Sequence, residues 1–178
     1  EIVTGEYICF IGCDDYFAER SSISHILSLN GPACFTDIIS SKILLVDHNG
    51  LFLRERGNRW QWSKMKKHCS VAHPGLMHHK NIFERHGKFD TRYKIAGDYD
   101  FLLRLGPKTS SEHLDKVTVL MGIYGVSNLN ILKVLKETRL IQSRHVAIGR
   151  ALALYNYYIS IVKVCLKFIL IKCGLKDY

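Results

Sequence analysis

Tyr7 to Ile11 is a short, almost wholly apolar run bracketed by Gly5 and Gly12, which predicts a strand buried on both faces of a parallel sheet. Ser21 to Leu29 places Ile23, Ile26 and Leu27 at helical spacing, with Ser21 or Ser22 as cap and Asn30-Gly31-Pro32 as stop. Ala33 to Ile39 reads as the next strand. Lys42 to Val46 and Leu51 to Arg54 flank Asp47-His48-Asn49-Gly50, and Asn-Gly there predicts a hairpin turn. Arg56 to Lys67, polar and basic around Trp60 and Trp62, predicts a surface loop beside the functional site. Cys69 to Gly75 leads into a loop at His73-Pro74-Gly75. Lys80 to His86 predicts a short helix ended by Gly87 at C′, and a second helix runs from Asp98 or Tyr99 to Leu105 before Gly106-Pro107. Val117 to Ile123 reads as a strand, and Asn128 to Ala151 as a basic surface helix packed on one side.

Ala151 to Cys173 is apolar over a length sufficient to span a bilayer. Asn156, Ser160, Lys163 and Lys167 recur at i, i+4, i+7 and i+11, however, and make one polar stripe. A lysine near the bilayer centre costs roughly 2.5–3.5 kcal/mol. The pattern therefore predicts an interfacial helix, lysines toward headgroups and Tyr155, Tyr158, Ile159, Leu166, Phe168 and Ile169 in the acyl boundary. The other reading is a helix packed on the domain or on a second copy.

Length and charge narrow the class. At 178 residues the chain can build one sizeable core, and 47% hydrophobic with 23% charged residues is an ordinary globular balance. The first residues hold no signal pattern and no initiator Met, so the chain reads as cut from something longer. The irregular spacing of Cys9, Cys13, Cys34, Cys69, Cys165 and Cys173 favours free, buried thiols in a reducing compartment, hence the cytoplasm. A net charge of +9, concentrated late in the chain, asks for an anionic partner: nucleic acid, membrane or nucleotide diphosphate. Nucleic acid is set aside, because no binding motif is present and the aromatics do not interleave with the charges.

The predicted strand at Tyr7 ends in Asp14 and Asp15. Ligands of open α/β sheets collect at the carboxyl ends of strands. Two acids there can hold Mg²⁺ or Mn²⁺, which takes one or two carboxylates together with substrate phosphate oxygens. Alternatively, Asp14 caps a following helix. His68, Cys69, His73, His78, His79 and His86 lack the paired spacing of a structural zinc site. His73 and His78 then shape the acceptor side of a pocket or are plain loop residues.

A second stretch, His73-Pro-Gly-Leu-Met-His-His-Lys-Asn-Ile-Phe-Glu-Arg-His-Gly-Lys-Phe-Asp-Thr-Arg-Tyr-Lys-Ile-Ala-Gly-Asp-Tyr-Asp-Phe-Leu-Leu-Arg-Leu, carries Phe83, Gly87, Phe89, Asp90, Asp98, Asp100 and Arg104 in order. With residues 5–17 it resembles family 2 glycosyltransferases of the GT-A fold, particularly bacterial enzymes that build surface polysaccharides. The resemblance covers residues 5–17 and 71–105, and 122–140 more loosely. It implies an α/β, Rossmann-like mixed sheet, truncated at its N-terminus before the nucleotide-binding units, with a helical C-terminal extension. The division is then 1–127, the catalytic portion, and 128–178, basic amphipathic helices. It implies a nucleotide-diphosphate sugar donor, Mg²⁺ or Mn²⁺, a saccharide or lipid-linked acceptor and transfer with inversion. Asp15 would touch the metal, with Asp14 beside it contacting ribose or an outlying water. Asp98 would be the catalytic base, although on local sequence alone Asp98 and Asp100 read as helix-cap and first-turn acids. Two departures stand out: Gly12 where the family often has a further Asp, and Gly97 where many relatives have Glu. The expected place is the cytoplasm, peripheral on the inner face of the plasma membrane, against anionic lipid. The alternative is a non-catalytic basic membrane-surface module.

Overall fold

The computed structural model describes residues 4–29, 36–123, 125 and 130–174. Strands β1 (Tyr7–Cys9), β2 (Tyr16–Phe17), β3 (Ile38–Val46), β4 (Phe52–Arg56), β5 (Leu76–His79) and β6 (Ser111–Gly122) form one mixed sheet. Their order is β1-β5-β3-β6-β2, with β4 paired to β3 off that path. β3 and β6 run parallel from Ile38↔Ser111 to Val46↔Gly122, and the remaining pairings are antiparallel.

β3 is the trunk of the sheet. Its first half pairs with β5 and its second half with β4, and the ladder shifts register around Lys42 and again at Leu45/Val46. Such irregularities bend a strand and increase its twist, so the sheet curls. The run Ile-Ile-Ser-Ser-Lys-Ile-Leu-Leu-Val supplies β-branched residues whose faces alternate. Ile38 joins the main core with Leu76 and Phe101, whereas Ile39 joins Met77 and Ile26 in a separate cluster.

Helices α1 (Ser22–Leu27), α3 (Asn81–His86) and α4 (Gly97–Leu105) lie where the spacing predicts them, as does the β3–β4 hairpin. Asp47 closes that hairpin by accepting from the Asn49 and Leu51 amides at 2.9 and 2.8 Å. Gly87 and Gly106 end α3 and α4 at φ +76° and +78°, a conformation that favours glycine.

Other expectations are corrected. β1 is a three-residue, half-buried strand at the sheet margin, because β5 intervenes antiparallel between it and β3. The strand expected from Ala33 lies partly outside the described residues, and from Ile38 it continues unbroken to Val46. The expected surface loop 56–67 instead enters the core: Trp60 and Met65 are buried, and α2 (Trp62–Met65) packs beside them. The single helix expected over 128–151 is two, α5 (Ile131–Arg144) and α6 (Gly149–Lys172), separated at extended His145 and by Gly149 at φ +73°. Among the described cysteines all are free, but Cys13, Cys69, Cys165 and Cys173 are exposed rather than buried, and Cys9 is half-buried; Cys34 lies outside the described residues.

α4 is the centre of the molecule. Tyr99, Phe101, Leu102, Leu103 and Leu105 are all buried, between the sheet and α5–α6, and each large side chain contributes about 1.5–3 kcal/mol of burial. A buried polar chain holds the layers in register. The Tyr99 hydroxyl donates to Met65 O at 2.7 Å and accepts from Gln142 Nε2 at 2.8 Å. Asn156 Nδ2 donates to Gln142 Oε1 and to Lys66 O, both at 3.1 Å. Asn156 therefore lies on the protein side of α6, because its polar atoms have protein partners there, while the Ser160 hydroxyl donates to Asn156 O within the helix.

Candidate functional site

The acidic pair lies in the connection from β1 to β2, at opposite margins of the sheet. Residues 10–15 make this passage in six residues, a reach of about 25 Å at full stretch against about 19 Å for four flat strand spacings. The connection must run close to extended past the strand ends, and it comes to rest on the last residue of β6. Gly122 N donates to Asp15 Oδ1 at 3.3 Å, and Gly12 N donates to Asp15 Oδ2 at 2.9 Å. Asp15 thus braces its own turn with both oxygens. Asp14 is exposed, and among the described residues it accepts no hydrogen bond. A methyl group on Gly12 would stand 2.8 Å from Asp15 Oδ2 and 3.2 Å from Asp14 Oδ1, so the two carboxylates converge on the same bare backbone. A methyl on Gly122 would stand 2.5 Å from Asp14 Oδ2. Asp14 does not cap the next helix, which begins only at Ser22.

Asp98 sits in the first turn of α4, half-buried, and accepts from the Tyr99 amide at 2.7 Å. Its turn is held from outside. Glu137 on α5 accepts from three successive amides ahead of α4: Lys94 at 3.0 Å to one oxygen, Ile95 and Ala96 at 2.9 Å to the other. Burial alone would raise the Glu137 carboxyl; the three donated N–H groups outweigh it and hold it below its ordinary value. Glu137 carried no local signal in the sequence, since its partners lie 41 to 43 residues earlier.

An aromatic box is built around Phe10. Phe10, directly after β1, stacks on His73 at 5.5 Å and meets His78 at 5.5 Å and Phe89 at 5.0 Å. Phe83 stacks on Phe101 at 4.7 Å in the same cluster. Burial holds the His73 imidazole below its ordinary value while the Asp98 carboxylate pulls it the other way. The charge of Asp98 is thus felt at His73, which stacks on Phe10, four residues of chain before Asp14. His78 is no loop residue. It is a fully buried position of β5, and burial followed by the neighbouring His73 pushes it down to about 3. The Nε2 atoms of both histidines are buried without a hydrogen-bond partner among the described residues.

The other residues of the second stretch are structural. Asp90 folds its own turn, accepting from Arg92 N at 3.0 Å and from the Arg92 guanidinium, which holds its carboxyl at about 2. Arg104 pairs with Asp100 at 3.1 Å, donates to Lys88 O at 2.7 Å and to His86 O, and so fastens the Gly87 bend to α4. A groove of about 400 Å³ lies on this side, lined by Asp90, Arg92, Tyr93, Asp100, Arg104 and Arg144 among others, and neither Asp98 nor the acidic pair lines it. Among the described residues no group of three or more His, Cys, Asp or Glu side chains converges as a metal cluster.

No family model matches the chain. Over 104 residues it is 19% identical to a PGL/p-HBAD biosynthesis glycosyltransferase of Mycobacterium bovis (strain BCG / Pasteur 1173P2), and equally to the protein of that name from Mycobacterium tuberculosis (strain ATCC 25177 / H37Ra). The match covers 58% of this chain, and the chain spans 39% of the length of these curated relatives.

Proposed function

We propose that this chain carries the diphosphate-facing acids and the base of a glycosyltransferase acting from a nucleotide-diphosphate sugar onto the hydroxyl of a saccharide or lipid-linked acceptor. Distant similarity to a glycosyltransferase supports the reaction class. The observation that carries the assignment of residues is geometric. Asp14 and Asp15 converge at the carboxyl end of β6, Phe10 of the same connection stacks on His73, and His73 feels the charge of Asp98, which supports a common site.

An open carboxylate beside one braced by backbone amides suits a hard divalent ion that keeps most of its other positions for water and phosphate. Asp14 offers the less engaged carboxylate and Asp15 the braced one, so Asp14 and Asp15 would together hold Mg²⁺ or Mn²⁺. Such an ion supplies neutralisation of the negative charge gathering on the diphosphate. Asp98 takes the acceptor's proton as the acceptor oxygen forms its bond to the anomeric carbon. The bond from that carbon to the diphosphate breaks on the opposite face, which inverts the centre. Asp98 stands in the first turn of α4, at the positive end of the helix dipole. Glu137 fixes the turn that presents it. The fold reading that accompanies this mechanism is GT-A of family 2, supported by the mixed sheet and by the order of its acidic elements.

The assay is nucleotide release from nucleotide-diphosphate sugars with Mn²⁺, with and without simple glycoside acceptors. Asp98→Asn should lower turnover by about a hundredfold or more. Asp14→Asn and Asp15→Asn should raise the Mn²⁺ requirement. Wild-type release no faster than that of Asp98→Asn sinks the proposal.

A further inference from the structure

α6 is long and apolar enough to cross a membrane by length and composition, yet only 6% of its apolar window is buried. One side is committed to the protein through buried Ala153 and Asn156. The opposite side carries Tyr155, Tyr158, Ile159, Val162, Leu166 and Ile169, each between 38% and 63% exposed. Their spacing of i, i+3, i+4, i+7, i+11 and i+14 sets them on one stripe turned away from the docked side. Scattered apolar residues on a soluble surface need no explanation; a continuous stripe over four turns does.

Cations stand on both flanks of this stripe. On one, Arg139 lies over the Tyr157 ring at 5.3 Å and lines a shallow groove with Arg150 and Leu154. On the other, Lys163 stands with Lys64 and Lys67 around His68, whose imidazole is held down by burial and then by those three charges. All five of these flanking cations are exposed. Over residues 131–172 the acid is Glu137, and its carboxylate is already taken by three backbone amides.

We propose that this face of α6 lies in the surface of an anionic bilayer, its apolar stripe among the acyl chains and the two cationic rims on the headgroup phosphates. The inference stands apart from the sugar chemistry above. A second copy of the chain fits less well, because apposing two stripes brings both sets of rim cations together. Spanning is disfavoured too, since it would tear Asn156 from Lys66 and Gln142 and carry mid-helix Lys163 into hydrocarbon.

The test is flotation of the full chain with vesicles of phosphatidylcholine alone and of equal parts phosphatidylcholine and phosphatidylglycerol, in low and high salt. Binding to the anionic vesicles should be at least about tenfold stronger and should weaken with salt. Ile159→Asp with Leu166→Asp should abolish it. Arg139→Ala and Arg150→Ala should each lower it about fivefold, and these solvent-facing changes keep the test intact if the paired Asp variant misfolds. Equal binding to both vesicle types, or binding to neither, overturns the proposal. So does sedimentation as a dimer that the paired Asp variant disperses.

Discussion

Acid should loosen this fold through His78. The ring donates from Nδ1 to Ile8 O at 3.2 Å, because a carbonyl can only accept, and that bond spans β5 and β1. Nε2 is then the unprotonated atom, and it is buried without a partner among the described residues. A proton added there would place an ionised N–H among the Phe10, Phe83 and Phe101 rings, whose centroids stand 5.5, 5.8 and 6.0 Å away, with His73 at 5.2 Å. The folded value of about 3 lies below the unfolded one, which is about 6.5. The unfolded chain therefore binds the extra proton first. Stability is complete above about pH 6.5 and falls toward pH 3, at up to about 1.4 kcal/mol per pH unit. Between pH 7 and pH 5 the loss is about 2 kcal/mol, a large part of the 5–15 kcal/mol that holds most domains together. Urea titrations at the two pH values measure it directly. His78→Phe, which removes the titrating group and suits the aromatic box, should keep about 2 kcal/mol more of its stability over that interval than the wild type does. His73, also depressed by burial against the opposing pull of the Asp98 charge, leaves a residual slope in the variant. Identical losses in wild type and His78→Phe would refute a neutral, buried His78.

Glu137→Ala strips three amides of their acceptor and should cost about 2–4 kcal/mol in chemical denaturation. Glu137→Gln should cost less, because one oxygen still serves Ile95 and Ala96; in both variants amide exchange at residues 94–99 should quicken. The Glu137 contribution, present above its unfolded value near pH 4.5, should fade as pH falls through the lowered folded value. Arg104→Ala releases the Gly87 bend and leaves Asp100 unpaired, an expected loss of about 2–3 kcal/mol read from thermal melting. Gly122→Ala pushes on Asp14, whose Oδ2 would lie 2.5 Å from the new methyl. It should lower sugar-nucleotide turnover about tenfold while changing stability by less than about 1 kcal/mol; unchanged turnover would separate Asp14 from the reaction.

The elements set by local chemistry were legible in the chain. Asn49-Gly50 specified the β3–β4 hairpin, and Gly87 and Gly106 marked the ends of α3 and α4. What pairing decides was not. An apolar run such as Tyr7 to Ile11 reads the same in a buried parallel strand as in a short margin strand, and only the antiparallel insertion of β5 distinguishes them. Trp60 and Met65 hid in a basic stretch, because two apolar anchors suffice to pull such a stretch into the core while its lysines stay in water. The polar stripe of α6 was visible, but not the partners of its first member: Asn156 binds Lys66 O and Gln142, both distant in sequence or on another helix.

The site residues divide along the same line. Asp14, Asp15 and Asp98 stand out by type and order, but side-chain type says nothing of what holds them. Asp15 spends both oxygens on backbone amides, one of them from β6, so the acidic turn depends on a strand that begins 96 residues later. The turn before Asp98 depends in the same way on Glu137 in α5, and α5 is tied through Gln142 to Tyr99 and through Asn156 to α6. The helices after residue 131 are therefore part of the scaffold of the site. A variant that loosens α6 from Lys66 and Gln142 will be felt at α4 before it is felt in the sheet, because the polar chain ends on Tyr99, the residue whose amide holds Asp98.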